Sequence, residues 1–269
     1  MRQRLRLKPA GVAALLAVLA ATAVMPAQAG RIDEIKARGY VRVGVSLGGE
    51  PIGFRDERSQ PVGYDVDVAR QLAARLGVPV RFSDVSGDAR ISMLRSGQLD
   101  LVVANVSITP QRATVVDFSM PYNAAGLRVI AQKKARIRSL ADLNGKRVVV
   151  GRGTTASAFL KKAAPRAEFI YADSFSPDGV LLLLQRRADA GIEDSSLLDY
   201  LASKYEQFET LPAMYGSAPI GIAMAKGDPA LLKFVNGFVA DYIQSGAYAA
   251  NYRKWWGPKA VPPVLSPQG

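Results

Sequence analysis

Three short polar clusters carry residue types that together can hold a negative and a positive group on one small molecule. The first is Ser107, Thr109 and Arg112, within A-N-V-S-I-T-P-Q-R (104–112). With Thr109 as a helix cap and Pro110 as the first helical residue, Arg112 falls at the third helical position. There the helix dipole disfavours a cation by about 0.3–1 kcal/mol and favours a nearby anion. The second cluster is G-R-G-T-T (151–155), ahead of a predicted helix over 156–163. Its glycines let a backbone approach a ligand closely, and the N–H groups at a helix start attract anions. The third is Glu193-Asp194-Ser195-Ser196, which supplies carboxylates. Each cluster alone reads equally as a cap or a turn. Together they offer a guanidinium and a nest of N–H donors for an α-carboxylate, and a carboxylate for an α-ammonium.

Histidine and cysteine are both absent from the 269 residues. No Ser-His or Cys-His pair is possible, and a zinc site would need carboxylates alone, so no metal and no cofactor are expected. Ser-x-x-Lys is also missing, which removes a serine–lysine acylating centre. Carboxylate or lysine acid–base chemistry remains, as does binding without reaction.

The elements that would position these clusters alternate short apolar strands with amphipathic helices, the pattern of an α/β protein with mostly parallel sheets. Strands are predicted at 40–46, 78–82, 99–103, 127–131, 147–151, 168–171, 188–192 and 220–225. A helix is predicted over 65–76, where Val66, Ala69, Ala73 and Leu76 share one face. All three clusters then stand at strand-to-helix turns, where open parallel sheets bind ligands. The stretches L-R-S-G-Q-L-D-L-V-V-A-N (94–105) and L-Q-R-R-A-D-A-G-I-E-D (184–194) echo each other: a helix end, an aspartate, a short strand, then polar residues. The echo suggests two similar lobes, with 121–126 as a crossing between them.

Residues 1–29 follow the secretory pattern, with Arg2, Arg4, Arg6 and Lys8, an apolar stretch, and Ala27-Gln28-Ala29 as a small-x-small cleavage site. Removing those four cations, and no anions, takes the formal charge from +12 to +8. A basic exported protein attracts acidic solutes. Nucleic acid is not an expected partner, because the cations are scattered and aromatics make up only 8% of the chain.

The chain resembles the polar-amino-acid family of bacterial periplasmic solute-binding proteins, the soluble receptors of ABC importers. The resemblance rests on G-Y-D-V-D-V-A-R (63–70), L-R-S-G-Q-L-D-L-V-V-A (94–104), S-I-T-P-Q-R-A-T-V-V-D-F-S-M-P-Y (107–122), S-L-A-D-L-N-G-K-R-V-V-V-G-R-G-T-T-A (139–156) and K-W-W-G (254–257). It implies a two-lobed periplasmic-binding-protein type II fold, an α/β architecture of mixed sheets flanked by helices with the ligand cleft between the lobes. Lobe one would be 31–125 plus 219–257, lobe two 126–218, and 258–269 an irregular tail. Ser107 and Arg112 would bind the ligand from lobe one, Asn105 would add its backbone, Thr155 would meet the α-carboxylate, and Asp194 would take the α-ammonium. Asp65 and Asp67 are read as structural. The resemblance further implies a periplasmic monomer whose partners are an amino acid and a membrane permease.

One departure bears on the ligand. Where binders of basic amino acids in this family place an aromatic platform, this chain has Gly48-Gly49-Glu50-Pro51. In its place D-A-R-I (88–91) resembles the N-R-I element of acidic-amino-acid binders, which makes Arg90 the candidate specificity residue and glutamate or aspartate the expected ligand. Two other functions fit the same fold: a cyclohexadienyl dehydratase, with Glu50 or Glu193 as the proton-transfer acid, and an amino-acid-sensing domain.

Overall fold

The computed structural model describes residues 30–265 apart from position 88, so the expected signal peptide and the last four residues of the tail lie outside it. The chain begins with helix α1 (Arg31–Arg38), strand β1 (Val41–Val45), a small hairpin of β2 (Phe54–Arg55) and β3 (Pro61–Val62), and helix α2 (Tyr64–Leu76). Next come β4 (Val80–Asp84), α3 (Ala89–Arg95), β5 (Leu101–Val102), the single turn α4 (Pro110–Ala113) and β6 (Val116–Phe118). The long strand β7 (Asn123–Gln132) leads to β8 (Arg147–Gly151), α5 (Thr155–Ala163), β9 (Glu168–Ala172), α6 (Val180–Leu184), β10 (Ala190–Asp194), α7 (Ser195–Lys204) and β11 (Phe208–Thr210). Finally β12 (Tyr215–Ile220) and β13 (Ala223–Ala225) precede α8 (Pro229–Gln244) and α9 (Ala247–Trp256).

These elements build two sheets, ordered β4-β1-β5-β13-β6 and β11-β7-β10-β8-β9, with β12 also paired to β7. In the first sheet β4, β1 and β5 are parallel and β13 runs against both its neighbours. The second is mixed in the same way, with β9, β8 and β10 parallel and β7 antiparallel to β10. Strands covered on both faces need apolar residues throughout. Val148, Val149 and Val150 of β8 are accordingly all buried. Helix α2 buries its predicted face and more, adding Tyr64, Val68 and Leu72, because it packs against the sheet and also against α8 and α9.

Two expectations are corrected. The predicted strand over 220–225 is broken at Gly221-Ile222, and its halves belong to different sheets. Gly221 has no room for a side chain, since a Cβ there would lie 2.9 Å from the Ile108 Cδ1. The strand expected over 127–131 begins earlier, at Asn123, so most of the 121–126 crossing is itself strand. β7 and β12 pair antiparallel through Asn123↔Ile220, Ala125↔Ala218 and Leu127↔Tyr215, with a register shift between Tyr215 and Ala218. Both passages between the sheets therefore share one two-stranded ribbon. The irregular tail is anchored: the Tyr248 hydroxyl donates to the Pro263 carbonyl at 2.9 Å, and Ala260 and Leu265 pack on the first core. Among the described residues no helix is long and apolar enough to cross a membrane.

The internal echo has a physical basis. Asp100, just before β5, accepts from the Arg42 backbone N–H and guanidinium at 2.8 Å each, and also from Arg38. Asp189, just before β10, accepts from the Arg147 backbone N–H at 2.9 Å and its guanidinium at 2.8 Å. In each sheet an aspartate thus locks the arginine-bearing strand that runs parallel beside it. The two differ in exposure, the Asp100 side chain being 0% accessible and that of Asp189 30%. Asp100→Ala should lower unfolding stability by about 3 kcal/mol, because it strands two guanidinium groups and an N–H at a buried site. Asp189→Ala should cost no more than about 1 kcal/mol, since solvent screens that pair. Urea denaturation of the two variants measures both.

Candidate ligand-binding site

The loops that follow the parallel strands of both sheets meet around one cavity of about 110 Å³. Arg90, Asn105, Ser107, Arg112, Thr155 and Asp194 all line it. The first four come from the β4–β6 region and the last two from the ends of β8 and β10, so the cavity lies between the lobes.

Arg112 is fixed by its surroundings. Its backbone N–H donates to the Thr109 hydroxyl at 3.2 Å, the cap expected from the sequence. The helix so capped is only four residues long, because Thr114, Val115 and Val116 lead the chain into β6. So short a turn has little dipole, and the dipole argument for Arg112 is replaced by a hydrogen-bonding one. Its Nη1 donates to the Ser107 carbonyl at 2.9 Å, and its Nη2 reaches across the cavity to the Gly153 carbonyl at 3.2 Å.

On the facing side, Thr154 rather than Thr155 caps α5: its Oγ1 accepts from the Ser157 N–H at 3.1 Å and donates to the Gly151 carbonyl at 3.0 Å. Thr155 is then the first helical residue, within the turn whose N–H groups have no intrahelical acceptor. Gly153, at φ +67°, takes the left-handed conformation that the turn requires.

Asp194 divides its two oxygens. Oδ1 caps α7, accepting from the Ser196 N–H at 2.8 Å and hydroxyl at 2.7 Å. Oδ2 accepts from the Asn105 amide of the other lobe at 3.2 Å. Asp194 thus both caps α7 and lines the cavity. Burial pushes its carboxyl above the usual range, against these hydrogen bonds. Asn105 was expected to act through its backbone; its side chain is what crosses the cleft, from a left-handed backbone at φ +49° that asparagine tolerates.

Arg90 lies at the cavity wall with Nε donating to the Gly87 carbonyl at 2.9 Å and Nη1 donating to the Ala104 carbonyl. Glu193 also lines the cavity. Its Oε1 accepts from the Asp194 N–H at 3.2 Å, while Oε2 is sealed from solvent and has no hydrogen-bond partner. Burial, reinforced by the Asp194 charge, pushes its carboxyl up to about 7. Behind the cavity Asp65 is buried and accepts from the Tyr122 hydroxyl at 2.8 Å. Asp67 accepts from the Trp255 indole at 2.9 Å and Lys254 at 2.6 Å, joining α2 to α9.

Residues 41–258 match the model of the bacterial extracellular solute-binding proteins, family 3. The chain belongs to that family. It is similar to the ABC transporter glutamine-binding protein GlnH of Bacillus subtilis, 29% identical with 82% of each chain covered. Among solved structures it resembles a mutant of ArgBP from T. maritima, 36% identical, with TM-score 0.79 over 84% of this chain and 98% of that one. It also resembles the ancestral amino acid-binding protein AncCDT-1, a precursor of cyclohexadienyl dehydratase, 34% identical, with TM-score 0.79 over 84% and 99% of the two chains. These neighbours bear out the two-lobed type II periplasmic-binding fold.

Sequence reasoning missed how this family 3 protein joins its lobes beyond the cavity. Glu50 accepts from the Tyr200 hydroxyl at 2.8 Å and Lys204 at 2.5 Å, and Lys204 holds its carboxyl below the usual range. The Trp256 indole donates to the Ser196 carbonyl at 3.0 Å. Phe175, from the loop after β9, lines the cavity and packs under Gly191, 2.6 Å from where a Cβ would stand. Its position after a strand on the ligand side of the sheet was the available signal.

Gly48 is the tightest of these contacts. A Cβ added there would lie 1.9 Å from the Ser174 Oγ and 2.8 Å from the Ser176 carbonyl oxygen, both in the opposite lobe. Gly48→Ala should therefore keep the two lobes from approaching this closely. Its ligand affinity should fall at least about tenfold, because overpacking a formed contact costs roughly 1–3 kcal/mol. Calorimetric titration measures the loss, and small-angle scattering of the ligand-saturated variant should show a more open particle than wild type.

Proposed function

We propose that the protein is an exported, monomeric receptor that closes on glutamate or aspartate and delivers it to the membrane permease of an ABC importer. Membership of a family of extracellular solute-binding proteins supports export and transport, and the secretory pattern of residues 1–29 supports removal of a signal peptide near Ala29 in the periplasm. The lobes are taken as 31–125 with 219–257, and 126–218, joined by the β7–β12 ribbon.

One observation carries the amino-acid reading: Arg112, the N–H groups of the Gly153–Thr155 turn, and Asp194 converge on one interlobe cavity from different elements. A guanidinium and helix-start N–H groups suit an α-carboxylate, and the carboxylate suits an α-ammonium. The acidic side chain rests on Arg90, a second cation held at the cavity wall by two backbone carbonyls. A buried side-chain carboxylate needs its own cation, since leaving it unpaired costs several kcal/mol. Glycines at 48 and 49 leave no room for an aromatic platform there.

A second reading, a dehydratase on the same fold, is favoured by one observation, the proton-retaining carboxyl of Glu193 in the cavity. Glu50, the other candidate acid, is committed to Lys204 and Tyr200. Incubation with prephenate or arogenate separates the readings: aromatic product marks the enzyme, and none marks the receptor.

A thermal-shift screen of the twenty amino acids should give its largest shifts with glutamate and aspartate, about 2.7 kcal/mol at a hundred times the dissociation constant. Arg112→Ala should weaken binding by about 2–5 kcal/mol, the usual loss on removing one partner of a buried charge pair. Near-native calorimetric affinity in that variant defeats the zwitterion clamp. Asp194→Asn should weaken α-amino acids while des-amino analogues lose little. Arg90→Ala should cost glutamate or aspartate far more affinity than glutamine or asparagine. Equal losses for acids and amides defeat the acidic assignment alone.

A further inference from the structure

The second sheet has two ends, and the cavity uses only one. Leu127, Gly151 and Asp194, which line the cavity, share one end of β7, β8 and β10. Across the opposite end runs a row of cations in strand order. Lys133 and Lys134 follow β7, Arg186 and Arg187 come shortly before β10, Lys146 precedes β8, and Arg166 comes shortly before β9. Arg136 and Arg138 continue the turn after β7. All eight of these residues are exposed. Among the described residues, none of their side chains forms an ion pair or a hydrogen bond; Lys146 and Arg138 act only through space, on Asp189 and Asp142.

The anions at this end do not cancel them. Asp189 is already paired with Arg147. That pair aside, the eight cations face Asp142, which accepts from the Arg138 and Ser139 N–H groups, and the exposed Glu168, Glu206 and Glu209. The three glutamates belong to the outer strands β9 and β11 or the residues before them. The matching end of the first sheet is built differently. There Arg38 and Arg42 bind the buried Asp100, and Arg81 lies over the Tyr40 ring at 3.6 Å.

Two arginines of the row also stand where the backbone suits another residue. Arg136 has φ +54° and Arg186 has φ +57°, both left-handed. After α6 the Arg186 N–H donates to the Leu183 carbonyl at 3.1 Å and the Arg187 N–H to the Leu182 carbonyl at 2.8 Å, a helix ending whose left-handed residue is usually glycine. A side chain in that conformation meets a steric penalty that glycine avoids. Since neither guanidinium bonds to the rest of the fold, what each contributes there is its charge.

We propose that this basic edge is a contact surface for an anionic lipid bilayer, its cations meeting the phosphates of the headgroups. From β7 to β9 the row crosses three strand intervals, about 14 Å at roughly 4.8 Å each. One small anion cannot bridge that width, so the complement is an array of negative groups side by side. A bilayer rich in anionic lipid presents such an array, and every Lys or Arg brought near it strengthens the attraction. None of the eight residues lines the cavity, so the inference is independent of which ligand the cavity holds.

The test is sedimentation of the mature protein with vesicles of phosphatidylcholine, with and without phosphatidylglycerol. Wild type should bind only the vesicles that contain phosphatidylglycerol at about 0.1 M salt and be released at about 1 M, where the screening length shrinks to about 3 Å. Arg136→Gly with Arg186→Gly should weaken binding roughly twentyfold, about fivefold for each cation removed. The same variant should melt at or above the wild-type temperature, because glycine relieves both left-handed positions. Lys233→Ala with Arg253→Ala removes equal charge from α8 and α9 and should leave vesicle binding within about twofold of wild type. Wild type that ignores phosphatidylglycerol overturns the inference, as does an equal loss in the α8–α9 variant, which would make net charge the cause. Release by low millimolar inorganic phosphate overturns it too, in favour of a site for a single small anion. Should the double glycine variant melt lower or fail to fold, Lys133→Gln with Lys134→Gln decides: a similar roughly twentyfold loss upholds the contact surface, and unchanged binding overturns it.

Discussion

Charges enclosed between two lobes must be supported before any ligand arrives, and the architecture answers to that requirement. An unpaired charge out of water costs several kcal/mol. Here the cavity charges hang on backbone groups wherever these can be had: Arg112 on the Ser107 and Gly153 carbonyls, Arg90 on those of Gly87 and Ala104, and Asp194 on the first turn of α7. Backbone atoms at strand ends are the least mobile partners available. The two sheets supply them by presenting the loops after their parallel strands to the same space. Glu193, with its orphaned oxygen, is the cavity carboxyl among the described residues whose support is least complete, and burial there pushes its carboxyl up to about 7.

Much of this was legible in the sequence because it is local. Thr109 and Pro110 announce their own turn, Val148 to Val150 announce a strand buried on both faces, and the glycines at 151 and 153 announce a turn where backbone comes close. The clusters of Ser107 and Arg112, of Thr155 and of Asp194 could be named because each lies between a strand and a helix, whereas Asn105 and Arg90 came from the family resemblance. What escaped was whatever depends on the lobes meeting. The amide of Asn105 meets Asp194 across 89 residues of sequence, and Glu50 meets Lys204 across 154. No periodicity encodes such pairs. The split of 220–225 between two sheets was hidden for a related reason: Ile220 and Ala223 are both apolar and buried, and only the partner strands distinguish them.

The glycines at 48 and 49 show one residue type read in two ways. In sequence they mark a missing aromatic surface, which bears on the ligand. In the structure they lie against Ser174 and Ser176, which bears on how closely the lobes approach. The contact also explains why Glu50, next in the chain, reaches Tyr200 and Lys204 without entering the cavity. Adjacent residues of a single loop thus make the close contact with Ser174 and Ser176 and the pairing with Tyr200 and Lys204.

The ribbon of β7 and β12 has a mechanical meaning. Two hydrogen-bonded antiparallel strands resist stretching and shear in their own plane but bend readily across it, and the irregular pairing around Gly216 marks where this one is weakest. Were the two passages independent coils, the lobes could twist and slide in many ways. Joined as a strap, they have essentially one soft coordinate, an angle. Any change in that angle would be a single geometric variable, legible from outside the cavity.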